Sequence, residues 1–194
     1  MKVEIRADGM HISGYVNVPG RPSRPIRSAM GKFIEVIEPG VFKRAIKKAS
    51  EIKMLLDHDR TRVLASTTNQ TMKLTEDNVG LRAETVVTDE EVIREAKAGN
   101  LRGWSFGMAG PQYDVEERAD GQLPIRRIKD IGKLVEISLI VNKVPCYQAT
   151  SIEMRAGQEE LVEYRAEIEE VTIEEEAGPE KPDLSEYKER LKKI

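Results

Sequence analysis

Apolar and polar residues alternate at the start of the chain: Val3 and Ile5, then Met10, Ile12, Gly14, Val16 and Val18, with the turn-prone pair Asp8-Gly9 between the two runs. A period of two places every second side chain on one face of a strand, so an opening hairpin is expected. Pro19 to Ser28 holds three prolines, three arginines and two serines, a composition that predicts an exposed loop. The period then changes. Val41, Phe42, Ala45, Ile46 and Ala49 recur at helical spacing while Lys43, Arg44, Lys47 and Lys48 face away, which predicts an amphipathic helix.

Met54, Leu55 and Leu56 form a short apolar run, expected to be a buried strand that delivers Asp57, His58 and Asp59 at its end. Strands at Thr71 to Leu74 and Leu81 to Val87 flank a turn-prone Thr75-Glu76-Asp77-Asn78, giving a second hairpin. Thr88 with Glu91 reads as a capping box for a helix carrying Val92, Ile93 and Ala96, which Gly99 is placed to end. Leu101 to Met108 follows, then a loop with Gly110-Pro111, a turn at Asp120-Gly121, a strand with Ile125 and Ile128, and a separate strand from Leu134 to Val141. In that last strand Val135, Ile137, Leu139 and Val141 share one face and Glu136 and Ser138 the other. A carboxylate in so apolar a segment asks for an explanation.

Beyond Met154 the sequence is Glu-rich, broken by Gly178-Pro179 and Pro182, with Leu184, Tyr187 and Leu191 at the spacing of a short terminal helix. The expected division is a body over residues 1–155 and a helical or disordered acidic tail over 156–194. No internal repeat is present. From Gly157 onward there are 13 acidic and 6 basic residues, a net −7 that leaves the body at +4. That asymmetry suggests self-association or an acidic partner. Nucleic acid is not expected, because no stripe of Lys and Arg is interleaved with aromatics. The first ten residues lack an unbroken apolar run, so neither a signal peptide nor a membrane span is expected there. Cys146 is the only cysteine, which excludes an intrachain disulfide and leaves the cytoplasm as the default compartment. Two histidines and one cysteine far apart give no zinc-ligand pattern, and no cofactor is expected.

Gly103-Trp104-Ser105-Phe106-Gly107 matches the G-x-S-x-G nucleophile elbow in letters. The elbow needs a helix after the serine and a histidine later in the chain. Both histidines, His11 and His58, precede Ser105, so an α/β-hydrolase is excluded. A serine hydroxyl needs an adjacent base, and an imidazole is the usual one. His58 ends an apolar run, whereas His11 lies in an edge-like strand, so His58 is preferred. A third group normally fixes the base's tautomer. Glu136 is the first choice, with Asp57, Asp59 and Asp130 open beside it. The plainer readings are a capping or core role for His58, a solvent-facing strand position for Glu136, and core positions for Trp104 and Cys146.

Three blocks taken together, Leu55-Leu56-Asp57-His58-Asp59, Leu101 to Met108 and Leu134 to Ile140, resemble in order and spacing the signature blocks of the prohead maturation protease family of tailed double-stranded DNA phages. Gly14-Tyr15, Ile37 to Phe42 and Pro145 to Thr150 resemble further family positions, while Asn142-Lys143-Val144-Pro145 departs from the usual aromatic-proline approach to the last of these. The resemblance implies an α+β, mostly β fold with an assemblin-like β-barrel core and a few flanking helices. It implies His58 as base, Ser105 as nucleophile and Glu136 as third member of a serine endopeptidase. Its substrates would be phage scaffold and major capsid protein extensions, and the enzyme itself, inside the assembling prohead in the host cytoplasm. Assemblin-like relatives suggest a dimer. The rival readings are a non-catalytic capsid-assembly or scaffold protein that keeps the fold, and a small esterase or peptidase unrelated to phage.

Overall fold

The computed structural model describes residues 1–28, 31–119, 121–141, 152–153, 162–168 and 171–175. The opening hairpin forms as expected, β1 (Lys2–Arg6) against β2 (Gly9–Asn17), with Val3, Met10, Ile12 and Val16 buried. The loop expected over Pro19 to Ser28 ends in a short edge strand, β3 (Ile26–Ser28), which pairs with β4 (Gly31–Ile37). All three prolines precede that edge strand, where the missing N–H disrupts no ladder.

Helix α1 (Val41–Lys48) buries Val41, Phe42 and Ala45. Its N-terminus is held by a side chain from elsewhere in the chain: Glu76 accepts from the backbone N–H of Gly40 at 2.7 Å and of Lys43 at 2.6 Å. A carboxylate there satisfies free donors and complements the helix dipole. At the other end Lys48 donates to Asp130 at 2.6 Å.

Next come β5 (Lys53–Leu56), β6 (Asp59–Ser66) and a hairpin of β7 (Met72–Glu76) with β8 (Leu81–Val87). Helix α2 (Glu90–Lys97) starts one residue later than the capping box predicts. Asp89, not Thr88, is the cap and accepts from Val92 N–H at 3.1 Å, while Glu91 pairs with Arg62. A carboxylate at the cap also complements the helix dipole.

Two long strands carry the centre of the molecule, β9 (Gly103–Glu116) and β10 (Ile125–Ile140). The loop expected at Gly110-Pro111 lies inside β9, and the two strands expected around Ile128 and Leu134 are one. Register shifts between Ile128 and Asp130 and between Leu134 and Glu136 absorb the mismatch, and Gly110 takes φ +58° between the two, across from Gly132. Bulges let a ladder continue through residues that read as breakers. They also correct a facing assignment: Leu134 joins Ile137 and Leu139 in the core, while Val135 is half-buried.

The last described strands are β11 (Ile152–Glu153), β12 (Val162–Ile168) and β13 (Thr172–Glu175). Where a helical or disordered tail was expected, β12 pairs with β9 and β13 pairs in parallel with β1. Val162, Tyr164 and Ala166 supply the alternation, masked in the sequence by the glutamates between and around them. Cys146, the Pro145 block, Asp120 and the expected terminal helix lie outside the described residues.

The strands form two sheets, one ordered β13-β1-β2-β8-β7 and one ordered β11-β12-β9-β10-β4-β3, with β5 pairing β10 and β6 pairing β5. The fold is mostly β with two helices among the described residues, and those strands make two open sheets, not a closed barrel. One apolar cluster joins the sheets, taking Val3, Ile12, Leu81 and Ala83 from the first and Trp104, Phe106, Ile137 and Leu139 from the second. Phe42 of α1 meets Phe106 edge-on at 5.2 Å. No described helix is long and apolar enough to cross a membrane.

Candidate active site

β5 runs parallel to the last part of β10, with Glu136 opposite Lys53 and Leu139 opposite Leu56. It reverses into β6 through two residues only, since Leu56 is already paired with Asp59. A two-residue hairpin of matching twist built on a type I′ turn needs positive φ at both central positions. Asp57 and His58 supply it, at +49° and +63°, and they belong to the few non-glycine types that enter this region. Three bonds pin the turn to β10 and the residue that follows it: Asp57 N–H to Leu139 O at 3.0 Å, Val141 N–H to Asp57 Oδ1 at 3.0 Å, and His58 N–H to Ser138 Oγ at 3.2 Å.

The turn brings the His58 ring over the polar face of β10. Its Nδ1 lies 2.9 Å from Glu136 Oε1 and 3.3 Å from Ser138 Oγ, and Ser138 Oγ donates to Glu136 Oε2 at 2.5 Å. An ionised carboxylate only accepts, so the ring proton sits on Nδ1 and Nε2 is left as the basic atom. The side chains of His58 and Glu136 are 14% and 5% exposed, which removes the water that would weaken their interaction. The other candidates are engaged elsewhere. Asp57 accepts from Val141, Asp59 from Thr61, and Asp130 holds Lys48 and Arg44. His11 bonds Asp8 on the other sheet.

Ser105 stands on β9 directly opposite Ser138, and Gly107 opposite Glu136. Opposed residues of an antiparallel pair project to the same face with Cβ atoms roughly 4.5–5.5 Å apart. Ser105 therefore shares the face that carries Glu136 and His58. Its hydroxyl is bonded not to His58 but to the backbone carbonyl of Arg165, at 2.7 Å, and the residue is fully buried.

Tyr164, Gly107 and Ser138, to which the sequence assigned no role of their own, complete the site. Tyr164 of β12 is opposite Gly107, and its ring centroid lies 4.5 Å from that of His58. A Cβ on Gly107 would come within 3.0 Å of both Glu136 Oε1 and Tyr164 Cε1, so only glycine leaves room for the carboxylate and the phenol ring together. Ser138 was legible as the neighbour of Glu136 on one strand face. Tyr164 carried no signal.

On the other face of β12 lies a buried ion cluster. Arg165 binds Glu35 through two nitrogens, at 2.5 and 2.8 Å, and Glu163 at 2.6 Å, and Arg126 donates to Glu163 at 2.9 Å. Arg126 also stacks over Tyr113 at 4.0 Å. Burial works against charge on Glu163, but Arg126 and Arg165 outweigh it and hold the carboxyl below its ordinary range. Arg165 is likewise opposed by burial, and Glu35 and Glu163 raise its pKa above the usual guanidinium value.

A buried imidazole with a carboxylate on one nitrogen and a serine on the adjoining strand can carry out acyl transfer once the hydroxyl turns to the free nitrogen. Among the described residues no cluster of His, Cys, Asp and Glu could hold a metal ion. A family model described as Caudovirus prohead serine protease matches residues 1–164. No curated protein and no solved structure matches the chain.

Proposed function

Because the chain belongs to the Caudovirus prohead serine protease family, a family of serine peptidases, we propose that His58, Ser105 and Glu136 form its catalytic group. Ser105 attacks a peptide carbonyl, His58 Nε2 takes the hydroxyl proton and passes it to the departing amine, and water then releases the acyl-enzyme. Glu136 holds the proton on Nδ1 and stabilises the imidazolium formed during attack. The observation that carries this reading is the 2.9 Å contact of His58 Nδ1 with Glu136, made on the sheet face that also bears Ser105.

The substrates are scaffold and capsid-protein extensions in the assembling prohead, and the enzyme's own chain. In an assembly reaction with the phage capsid protein, wild type should trim the capsid protein and Ser105→Ala should lose about a million-fold in turnover. Mass spectra showing equal trimming by the two would refute the assignment.

A further inference from the structure

β12 covers the first half of the β9 edge, from Val162 opposite Ala109 to Ile168 opposite Gly103. A free strand edge beside a nucleophile is a template on which an extended peptide adds as one more strand. Here the chain's own segment fills that place, and the carbonyl nearest the Ser105 hydroxyl is that of Arg165. The hydroxyl donates to the carbonyl oxygen, so it is not aligned on the carbon, and the strand is held uncut.

Resting on the reading of Ser105 as nucleophile, we propose that β12 lies where substrate lies, and that Glu35 and Arg126 select the peptide. The class selected is an extended segment with arginine at the residue whose carbonyl faces Ser105 and an acidic residue two positions before it. Glu35 comes from β4 and Arg126 from β10, so both belong to the body and not to the occupying strand. They present one carboxylate and one guanidinium at the spacing of residues i+2 and i of a strand, which Arg165 and Glu163 meet. The two-nitrogen contact with Glu35 is the planar geometry that favours arginine over lysine. Tyr164 lies on the opposite face against His58, and Ala166 is exposed, so the residue after the cut is unconstrained. In the reaction the Ser105 Oγ–carbon bond forms as the Oγ proton moves to His58. The carbon–nitrogen bond then breaks as that proton passes to the departing amine, and water deprotonated by His58 releases the arginine carboxylate.

The test uses the full-length chain with its own anchor weakened, Arg165→Ala and Arg165→Glu. A fluorophosphonate should label Ser105 faster in both variants than in wild type. Peptides spanning residues 160–169, with Arg, Lys, Ala or Glu at the place of Arg165, are then offered to each variant. The arginine peptide should be cleaved about 100-fold faster than the alanine or glutamate peptide, the scale expected when a buried charge loses its partner. That ratio should collapse when Glu35→Gln is added. Labelling no faster than in wild type, cleavage indifferent to this residue, or a preference that survives Glu35→Gln overturns the proposal while Ser105 remains the nucleophile. Absence of labelling and cleavage in variants with wild-type circular dichroism instead defeats the nucleophile assignment and the pocket with it. Should Arg165→Glu not fold, Arg165→Ala carries the same readouts.

Discussion

Exchanging Glu136 for glutamine alters charge at almost constant shape, at a position whose two oxygens are both engaged, one by His58 and one by Ser138. With its amide oxygen toward Nδ1, glutamine keeps the tautomer but no longer stabilises the imidazolium. With its amide nitrogen there, it forces the proton to Nε2 and removes the base. Either way the reaction suffers where charge develops. Loss of a buried carboxylate behind a catalytic histidine costs roughly 10⁴ in kcat, equivalent to about 5 kcal/mol of barrier.

Folding stability responds differently. Bonds to a charged group contribute about 1.5–3 kcal/mol each and neutral ones about 0.5–1.5, so two exchanges lose about 2–3 kcal/mol. Neutralising a 5%-exposed carboxylate recovers several kcal/mol of desolvation. The net change should stay within about 1 kcal/mol, or roughly 2–4 °C in Tm for a chain of this size. Steady-state cleavage of a capsid-derived peptide, measured beside thermal melts, separates the two responses. A variant that loses several degrees yet keeps its kcat would show that Glu136 only props the turn, and the catalytic reasoning would fail.

Gly107→Ala should displace the carboxylate and the Tyr164 ring. Melts should show about 1–3 kcal/mol of overpacking, and kinetics roughly a 100-fold rate loss if the displacement approaches 1 Å; unchanged kinetics would mean the site does not depend on that clearance. His58→Asn should fold with near-wild-type Tm, because asparagine tolerates the left-handed region, yet lose activity; His58→Ala should in addition lose about 1–2 kcal/mol to backbone strain. The folded pKa of Glu163 lies below its ordinary value of about 4.5, so its contribution is complete above that pH and disappears as pH falls through the lower folded value. Hydrogen exchange over residues 162–168 should accelerate in that acid range, and the same acid profile in Glu163→Gln would contradict the assignment.

What the sequence revealed and what it hid differ by physical cause. Periodicity found β1, β2, β7, β8 and both helices, because each buries one face and exposes the other, and an unbroken apolar run found β5, which is buried on both faces. It missed β6, whose outward residues Asp59 to Arg62 conceal any alternation, and it cut β10 in two because a bulge shifts the period by one. His58, Ser105 and Glu136 were legible as residue types in family-like blocks, but their relation was not. The 2.9 Å bond depends on β5 lying parallel beside β10, a pairing across some eighty residues that no local pattern encodes. β12 was hidden most fully. Its glutamates and arginine look like solvated tail, and Glu163 and Arg165 are accommodated in a buried strand because Arg126 and Glu35 neutralise them in place.

The turn at Asp57-His58 shows how such a site is kept. Two non-glycine residues in the left-handed region cost of order 1–3 kcal/mol each, and the chain bears this where the side chain must stand over Glu136 and not run on along a strand. The cost is spread over three hydrogen bonds to β10 and the residue after it, made with the Leu139 carbonyl, the Val141 N–H and the Ser138 hydroxyl. At about 1 kcal/mol per bond, or up to about 3 where the Asp57 carboxylate accepts, they offset a strain of that order. Ser138 belongs to both accounts, since its hydroxyl accepts from the strained turn and donates to the carboxylate. Backbone strain and imidazole orientation are therefore coupled through one hydroxyl. Ser138→Ala should weaken both: a loss of roughly 1–3 kcal/mol in denaturant melts, together with a fall in kcat larger than any change in KM. A variant that loses the stability but leaves kcat intact would separate the two and show that the hydroxyl serves the turn alone.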